Sequence, residues 1–368
     1  MQVVRLEFRH LRSFAAGALA PGPGLNLLVG PNGSGKTSVI EALHLMAYGR
    51  SFRGRVRDGL VQAGAQAVEV FVEWHEAAGG GRMRRAGLRH AGNAWEGRLD
   101  GAALDQLGDL CAALAVVTFE PGSHALVTGA AEQRRRFMDW GLFHVEPEFL
   151  ALWRRYSRAL KQRNALLKSR SHAGQLEGWE QEMVRAAEPL TRYREQYLAD
   201  LEGHLRSTGG ALLPEAGAWA LEFSPGWRRD ALSLADALLL ARDRDLAAGF
   251  TSAGPHRADW RIVHETIPGR EALSRGQAKL TALAALLAQA EHQAAARGEW
   301  PLVALDDLAS ELDRGHQALV LDRLAGYGAQ VVITGTEVPA GLGGAHSPLM
   351  FHVERGAIVP EGRPSPAA

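Results

Sequence analysis

One cysteine, Cys111, and four lysines, Lys36, Lys161, Lys168 and Lys279, are all that this chain of 368 residues holds of either type. A lone cysteine excludes an intramolecular disulfide framework. Net charge is missing too. The 41 basic and 41 acidic residues balance, so no global field draws the protein toward nucleic acid or membrane, and any such attraction is local. There is no apolar run long enough to span a bilayer, and the opening MQVVRLEFRHLRSF lacks the apolar core of a signal peptide. The expectation is a cytoplasmic protein with no membrane partner. Neither H-E-x-x-H nor close Cys/His spacing occurs, which argues against a zinc site. The remainder is ordinary: 46% hydrophobic and 22% charged residues suit a soluble chain with a sizeable core, and the length suggests about two domains.

Hydrophobic periodicity divides the chain. Val4, Leu6 and Phe8 alternate as in a strand, and LNLLVG (Leu25 to Gly30) is a short apolar run of the kind buried in a parallel sheet. Lys36 to Tyr48 turns helical in period. AVEVFVEWH (Ala67 to His75) alternates strictly, AAGGG turns, and RMRRAGLRH and NAWEGRLDG read as further strands of an antiparallel meander. After AVVTF (Ala115 to Phe119) the chain is arginine-rich and helical from about Glu132 to Thr208. Segments Pro147 to Arg170 and Leu176 to Ser207, joined by SHAGQ, predict an antiparallel helical hairpin with arms of about 35 to 45 Å. A helix over Leu232 to Ala248, the strand ADWRIV, a long alanine-rich helix after LSRGQ, the strand PLVALDD, a helix and the strand QVVIT complete the order. The tail after Pro360 reads as frayed.

Three motifs carry chemistry. GPNGSGKT (Gly30 to Thr37) fits G-x-x-x-x-G-K-[ST] between a predicted strand and helix, the context that motif needs. Gly30, Asn32, Gly33, Ser34 and Gly35 let backbone amides face phosphate oxygens, Lys36 reaches the β and γ phosphates, and Thr37 ligates Mg²⁺. The helix start adds its positive dipole end. PLVALDD is an apolar strand that ends in two carboxylates: Asp306 is the expected metal partner, and Asp307 the residue that orients or deprotonates the attacking water. LSRGQ then supplies a second anion cradle. Ser274, Arg275, Gly276 and Gln277 stand at a helix start, best used on ATP held by another copy of the chain, which predicts a nucleotide-joined two-fold dimer.

In order and wording, these motifs resemble an ABC-type ATPase head. More narrowly, LRSF (Leu11 to Phe14), EQRRRFMDWGLFHVEP (Glu132 to Pro147), TSAGPHR (Thr251 to Arg257), LSRGQAKL and LDDLASELD (Leu305 to Asp313) resemble the RecF family. The resemblance implies an α/β fold, a P-loop core with an antiparallel meander plus a helical lobe carrying a short hairpin. Its expected divisions are an N-terminal ATPase part at 1–125, a helical lobe at 126–248 and a C-terminal ATPase part at 249–368. It implies ATP and Mg²⁺ at Lys36, Thr37, Ser38 and Asp306, hydrolysis assisted by Asp307 and Lys36, a trans contact by Ser274, and an approach of Arg12 to the nucleotide. Two departures from the general ABC pattern stand out: VVITGT (Val331 to Thr336) where a histidine is usual, and Asp307 where most have glutamate. The shorter acid predicts slow turnover, and the resemblance implies a weak ATPase stimulated by DNA.

DNA contact is read from local charge. Residues 151–170 contain Arg154, Arg155, Arg158, Lys161, Arg163, Lys168 and Arg170 without one acid, next to the run Arg134 to Arg136. Such an arm is either a solvated helix face with snorkelling arginines or a surface that contacts phosphates without reading bases, and the resemblance favours the second. Arg82, Arg84, Arg85 and Arg89 form a second cluster on the meander. The resemblance implies double-stranded and gapped DNA as partner, an ATP-dependent homodimer that clamps it, and RecO and RecR beside it at single-strand gaps. The alternatives are an SMC- or Rad50-like chromosome ATPase, which needs longer coiled coils, and a transporter subunit, which the helical insertion fits poorly.

Overall fold

The computed structural model describes residues 1–54, 59–77, 81–91, 94–169, 173–342 and 347–361. Backbone packing divides the chain into two units. The first comprises Met1–Ser123 with Leu283–Ala368, and the second His124–Ala282. The chain's return toward the ATPase part, expected at 249, therefore comes at 283. Residues 249–282 stay with the helical unit because one of its strands pairs there with another.

In the first unit, strands β1 (Gln2–Leu11), β2 (Phe14–Leu19), β4 (Ala67–Glu76), β5 (Arg82–Ala91), β6 (Ala94–Leu99) and β7 (Ala102–Leu104) form an antiparallel sheet in the order β2-β1-β4-β5-β6-β7. This is the meander that strict alternation predicts, with Val68, Val70, Val72 and Trp74 of β4 all buried. The alternation in β1 is interrupted. A register shift between Val3 and Arg5 buries Val3 with Leu6 and Phe8 and leaves Val4 half-exposed, so a bulge sets which face Val3 occupies.

The second sheet of this unit has the order β14-β13-β3-β12-β11-β8, from β3 (Leu25–Val29), β8 (Val116–Phe119), β11 (Leu302–Leu305), β12 (Val331–Gly335), β13 (Leu349–Glu354) and β14 (Ala357–Pro360). All its pairings are parallel except β13 with β14. Every residue of the central strands β11 and β12, and of the edge strand β8, is buried, as expected of parallel strands covered on both faces. The P-loop helix α1 (Lys36–Tyr48) buries eleven of its thirteen residues. Short helices α2 (Leu107–Ala113), α10 (Leu308–Glu311) and α11 (Arg314–Gly326) complete the unit. Because β3, β12 and β11 run parallel in register, their C-terminal ends open onto one edge, where α/β sheets hold ligands.

The second unit contains α3 (Ala125–Thr128), α4 (Ala131–Val145), α5 (Phe149–Lys168), α6 (Ala173–Leu212), α7 (Leu234–Leu240), α8 (Arg242–Ala248) and a ribbon of β9 (Trp219–Ser224) with β10 (Asp259–His264). Helix α9 (Arg275–Arg297) spans the boundary between the units. The hairpin α5–α6 is antiparallel, since Glu148 meets Tyr193 while Arg155 meets Glu182. Its arms are less equal than expected. With 20 residues α5 reaches about 30 Å, and with 40 residues α6 reaches about 60 Å. Helix α6 runs on through Gly209, where a Cβ would lie 2.5 Å from the Trp219 ring, so glycine lets its last turns seat on β9. The helix expected over Leu232 to Ala248 is broken in two at Ala241, a break that turns fully buried Asp245 toward Arg163. Of the expected turns, residues 78–80 of AAGGG and 171–172 of SHAGQ lie outside the described residues, as does the tail 362–368. No described helix is long and apolar enough to cross a membrane.

Candidate functional site

An open cleft of about 300 Å³ is lined by Arg12, Ser13, Asn32, Gly33, Gly35, Lys36, Thr37, Ser38, Arg53, Asp307 and Thr334. Larger concavities of about 530 and 540 Å³ lie on the outer face of the meander and beside β10, but neither gathers a P-loop or paired acids.

The loop after β3 is shaped by two glycines. Gly35 has φ 109, and a Cβ there would stand 2.3 Å from the Phe14 ring; at Gly30 it would meet Val353 O at 2.2 Å. Lys36 folds back over its own loop, its Nζ donating to Gly30 O at 2.7 Å and Pro31 O at 2.9 Å. Burial lowers its pKa, while Asp307 and Asp306 oppose that shift. Buried Ser34 Oγ has no hydrogen-bond partner, an unsatisfied donor in a loop built for anions.

The two acids follow β11 and differ in surroundings. Asp306 Oδ1 accepts from Thr37 Oγ1 at 3.0 Å and Thr334 Oγ1 at 2.6 Å. Burial raises its pKa, against the lowering effect of those two hydrogen bonds. Asp307 has φ 53, a left-handed backbone uncommon for a residue with a Cβ and typical of functional sites when it occurs. Its amide donates to Thr334 Oγ1 at 2.9 Å, and its Oδ1 is buried without a partner. Thr37 and Asp306 offer hard oxygen ligands at the phosphate cleft, the donor set that suits Mg²⁺. Among the described residues, three or more His, Cys, Asp or Glu side chains do not cluster as metal ligands, and the one-carboxylate donor set does not need them.

Sequence reasoning missed Thr334 and Arg53. The motif VVITGT signalled the first only as a departure from histidine, whereas its hydroxyl bridges both acids. Arg53 gives no local signal, because it reaches the cleft from the segment after α1. Arg12 lines the cleft, gripped by Glu41 of α1 through contacts of 2.9 and 2.6 Å.

At the start of α9, Ser274 Oγ accepts from Gln277 N at 3.2 Å and Gln277 Oε1 accepts from Ser274 N at 3.0 Å. That reciprocal pair is a capping box. Ser274, Arg275 and Gly276 are exposed, and a Cβ on Gly276 would meet only Ser274 Oγ, at 4.0 Å. The helix start is capped from within its own chain and open outward.

The basic arm needs correction. Arg163 has no solvent exposure: it donates to Glu180 at 2.9 Å, Asp245 at 2.8 Å and Thr251 Oγ1 at 2.9 Å. It is a core ion pair and cannot touch DNA. Arg134 is likewise buried, bidentate with Asp259 at 2.7 and 3.0 Å. Arg194 grips Asp139 and Pro255 O. EQRRRFMDW and TSAGPHR are thus tied into the interior of the helical unit. Arg155, Arg158, Lys161 and Lys168 remain exposed, Arg154 is half-buried, and Arg170 lies outside the described residues. Arg155 pairs with Glu182. On the meander, Arg84 pairs with Asp100 and Glu76, and Arg89 with Glu69 and Glu96, so that cluster is largely compensated.

Comparison with known proteins agrees with this architecture. Residues 2–341 match the RecF/RecN/SMC N terminal domain family. The chain is 63% identical over 361 residues to the DNA replication and repair protein RecF of Stenotrophomonas maltophilia (strain R551-3), covering 98% of this chain and 99% of that one. It is 36% identical to the RecF of Shewanella baltica (strain OS223), over 97% and 99%. Among solved structures, a recombination mediator protein RecF–ATP complex of the RecFOR pathway superposes with TM-score 0.85 at 23% identity over 98% of this chain and 97% of that one. An SMC head bound to the C-terminal winged-helix domain of ScpA gives 0.59 at 14%, over 98% and 97%. The ABC-type ATPase head expected from the motifs is therefore the fold observed, and the chain belongs to the RecF family of DNA replication and repair proteins.

Proposed function

We propose that the cleft binds ATP with Mg²⁺ and hydrolyses it slowly to ADP and phosphate, and that two ATP-loaded copies pair to hold DNA until hydrolysis releases them. One observation carries this reading: Lys36, Thr37, Asp306 and Asp307 converge at the open edge of a parallel sheet, with Thr334 binding both acids together. Lys36 is placed to leave its loop carbonyls for phosphate oxygens. Mg²⁺ held at Thr37 and Asp306 would neutralise charge on the β and γ phosphates. The partnerless Oδ1 of Asp307 is the candidate acceptor for a water proton. Its short side chain favours a slow switch over a motor.

Pairing is supported by the exposed start of α9. A hydroxyl that accepts one bond still has a proton to donate, so Ser274 can cap its helix and contact a partner's nucleotide. Arg154, Arg155, Arg158 and Lys161 are the remaining candidates for DNA phosphates. The solved relative named for the RecFOR pathway supports RecO- and RecR-type partners at gapped DNA, and the DNA repair role of the family supports action in the cytoplasm. The transporter reading shares the ATPase head, but the helical insertion fits it poorly.

Phosphate release and gel-shift assays on gapped duplex test the proposal. Wild type should hydrolyse ATP slowly, faster with DNA, and bind the duplex more tightly with ATP. Asp307→Asn should bind ATP and retain DNA longer. If Asp307→Asn hydrolyses at the wild-type rate, the assignment of the acids is wrong.

A further inference from the structure

Glu41 stands on α1 one turn beyond Thr37 and is completely buried. Nothing in the phosphate-binding motif asks for a carboxylate there, and a buried negative charge close to a triphosphate would by itself oppose the ligand. Its neighbours explain it. Arg12 Nε and Nη2 donate to its two oxygens at 2.9 and 2.6 Å, the Ser51 hydroxyl donates to Oε1, and Arg53 Nη1 lies 3.9 Å from Oε2. Ser51 Oγ accepts in turn from Arg53 N at 2.9 Å. The two arginines come from different segments, the β1–β2 turn and the chain after α1, and both line the cleft. Arg12 sits at φ 55, with its amide donating to Leu60 O at 2.9 Å, so backbone and side chain are both tied.

A bidentate carboxylate fixes the plane of a guanidinium as well as its position. Two arginines and one carboxylate also sum to one positive charge, at the mouth of a loop that binds anions. We propose that Glu41 is a positioning residue of the nucleotide site, holding Arg12 so that its guanidinium, beside Arg53, faces the incoming phosphates. The proposal rests on reading the cleft as a triphosphate site.

The test is a double-mutant cycle, read as affinity for a fluorescent ATP analogue with Mg²⁺, with thermal melts alongside. Glu41→Gln should lower affinity about tenfold, the scale on which supporting partners of a binding group act. In an Arg12→Ala background the same substitution should cost nothing further, because the group it positions is gone. Equal losses in both backgrounds, or no loss in either, would overturn the positioning role. Glu41→Gln leaves half-buried Arg12 without this counter-charge and can fail to fold. In that case Arg12→Ala is compared with the double variant, which removes both partners: equal affinity supports the proposal, and a weaker double variant overturns it. Wild type and Lys36→Ala separate the two ideas. If wild type does not bind the analogue, the nucleotide reading falls and this proposal with it. If wild type binds and Lys36→Ala does not, the nucleotide reading stands whatever Glu41 does.

Discussion

A single hydroxyl, that of Thr334, donates to Asp306 and accepts from the Asp307 amide, so the geometry of both acids depends on a residue of the neighbouring strand. Thr334→Val keeps the strand and its volume but removes both bonds. Phosphate release should fall about tenfold with the fold intact; an unchanged rate would show that Asp306 and Asp307 are set by β11 alone. A second residue-scale effect concerns His44, buried on α1 with Nδ1 3.1 Å from Thr118 Oγ1 and its ring stacked on Tyr48. Burial lowers its pKa from 6.5 to about 3. A histidine held neutral in the folded state stabilises fully above its unfolded pKa and loses that contribution as pH falls toward its folded value. His256, lowered to about 4 mainly by burial, acts in the same direction. The melting temperature should therefore drop progressively as pH falls from 6.5 to 4, and His44→Gln should flatten part of that slope. The P-loop residues were legible in the sequence because their spacing is local. Thr334, Arg53 and Glu41 were not, because their roles exist only once β12, α1 and the β1–β2 turn are brought together.

At the level of elements, periodicity located the meander, the parallel strands and the hairpin. It misjudged where pattern and packing part company. The bulge at Val3 and Arg5 shifts the face that alternation had assigned, and α6, expected to end at Ser207, continues through Gly209, whose missing side chain leaves room for the Trp219 ring. Charge shows the same limit: the seven basic residues of 151–170 read as one surface, yet on α5 helical spacing turns Arg163 inward, to acids that lie 17 and 82 residues away. Two substitutions separate these roles. Arg163→Met should destabilise the protein by about 3 to 5 kcal/mol, since breaking a buried pair strands its partners, and should leave the DNA affinity of the folded fraction unchanged. Lys161→Ala should leave the melting temperature unchanged, weaken DNA binding and reduce the salt slope by about 1. Calorimetry and salt-dependent anisotropy on the same preparations distinguish them, and a DNA defect in folded Arg163→Met would return that residue to the interface.

For the whole molecule, the two helix starts suited to anions belong to different parts of the chain. One follows β3 in the first unit, and the other opens α9 in the second. The capping box shows that Ser274 has a structural use within its own chain, so its presence in the sequence does not by itself require a partner. The exposed Gly276, with open space above it, has no such internal use, and that favours contact with a second copy. Light-scattering mass with and without ATP and Mg²⁺, on wild type and Ser274→Arg, tests this most directly. Mass should double with ATP in the wild type only, while Ser274→Arg stays monomeric yet still binds the nucleotide. A Ser274→Arg protein that doubles as the wild type does, or a wild type that binds ATP without any change of mass, would contradict it.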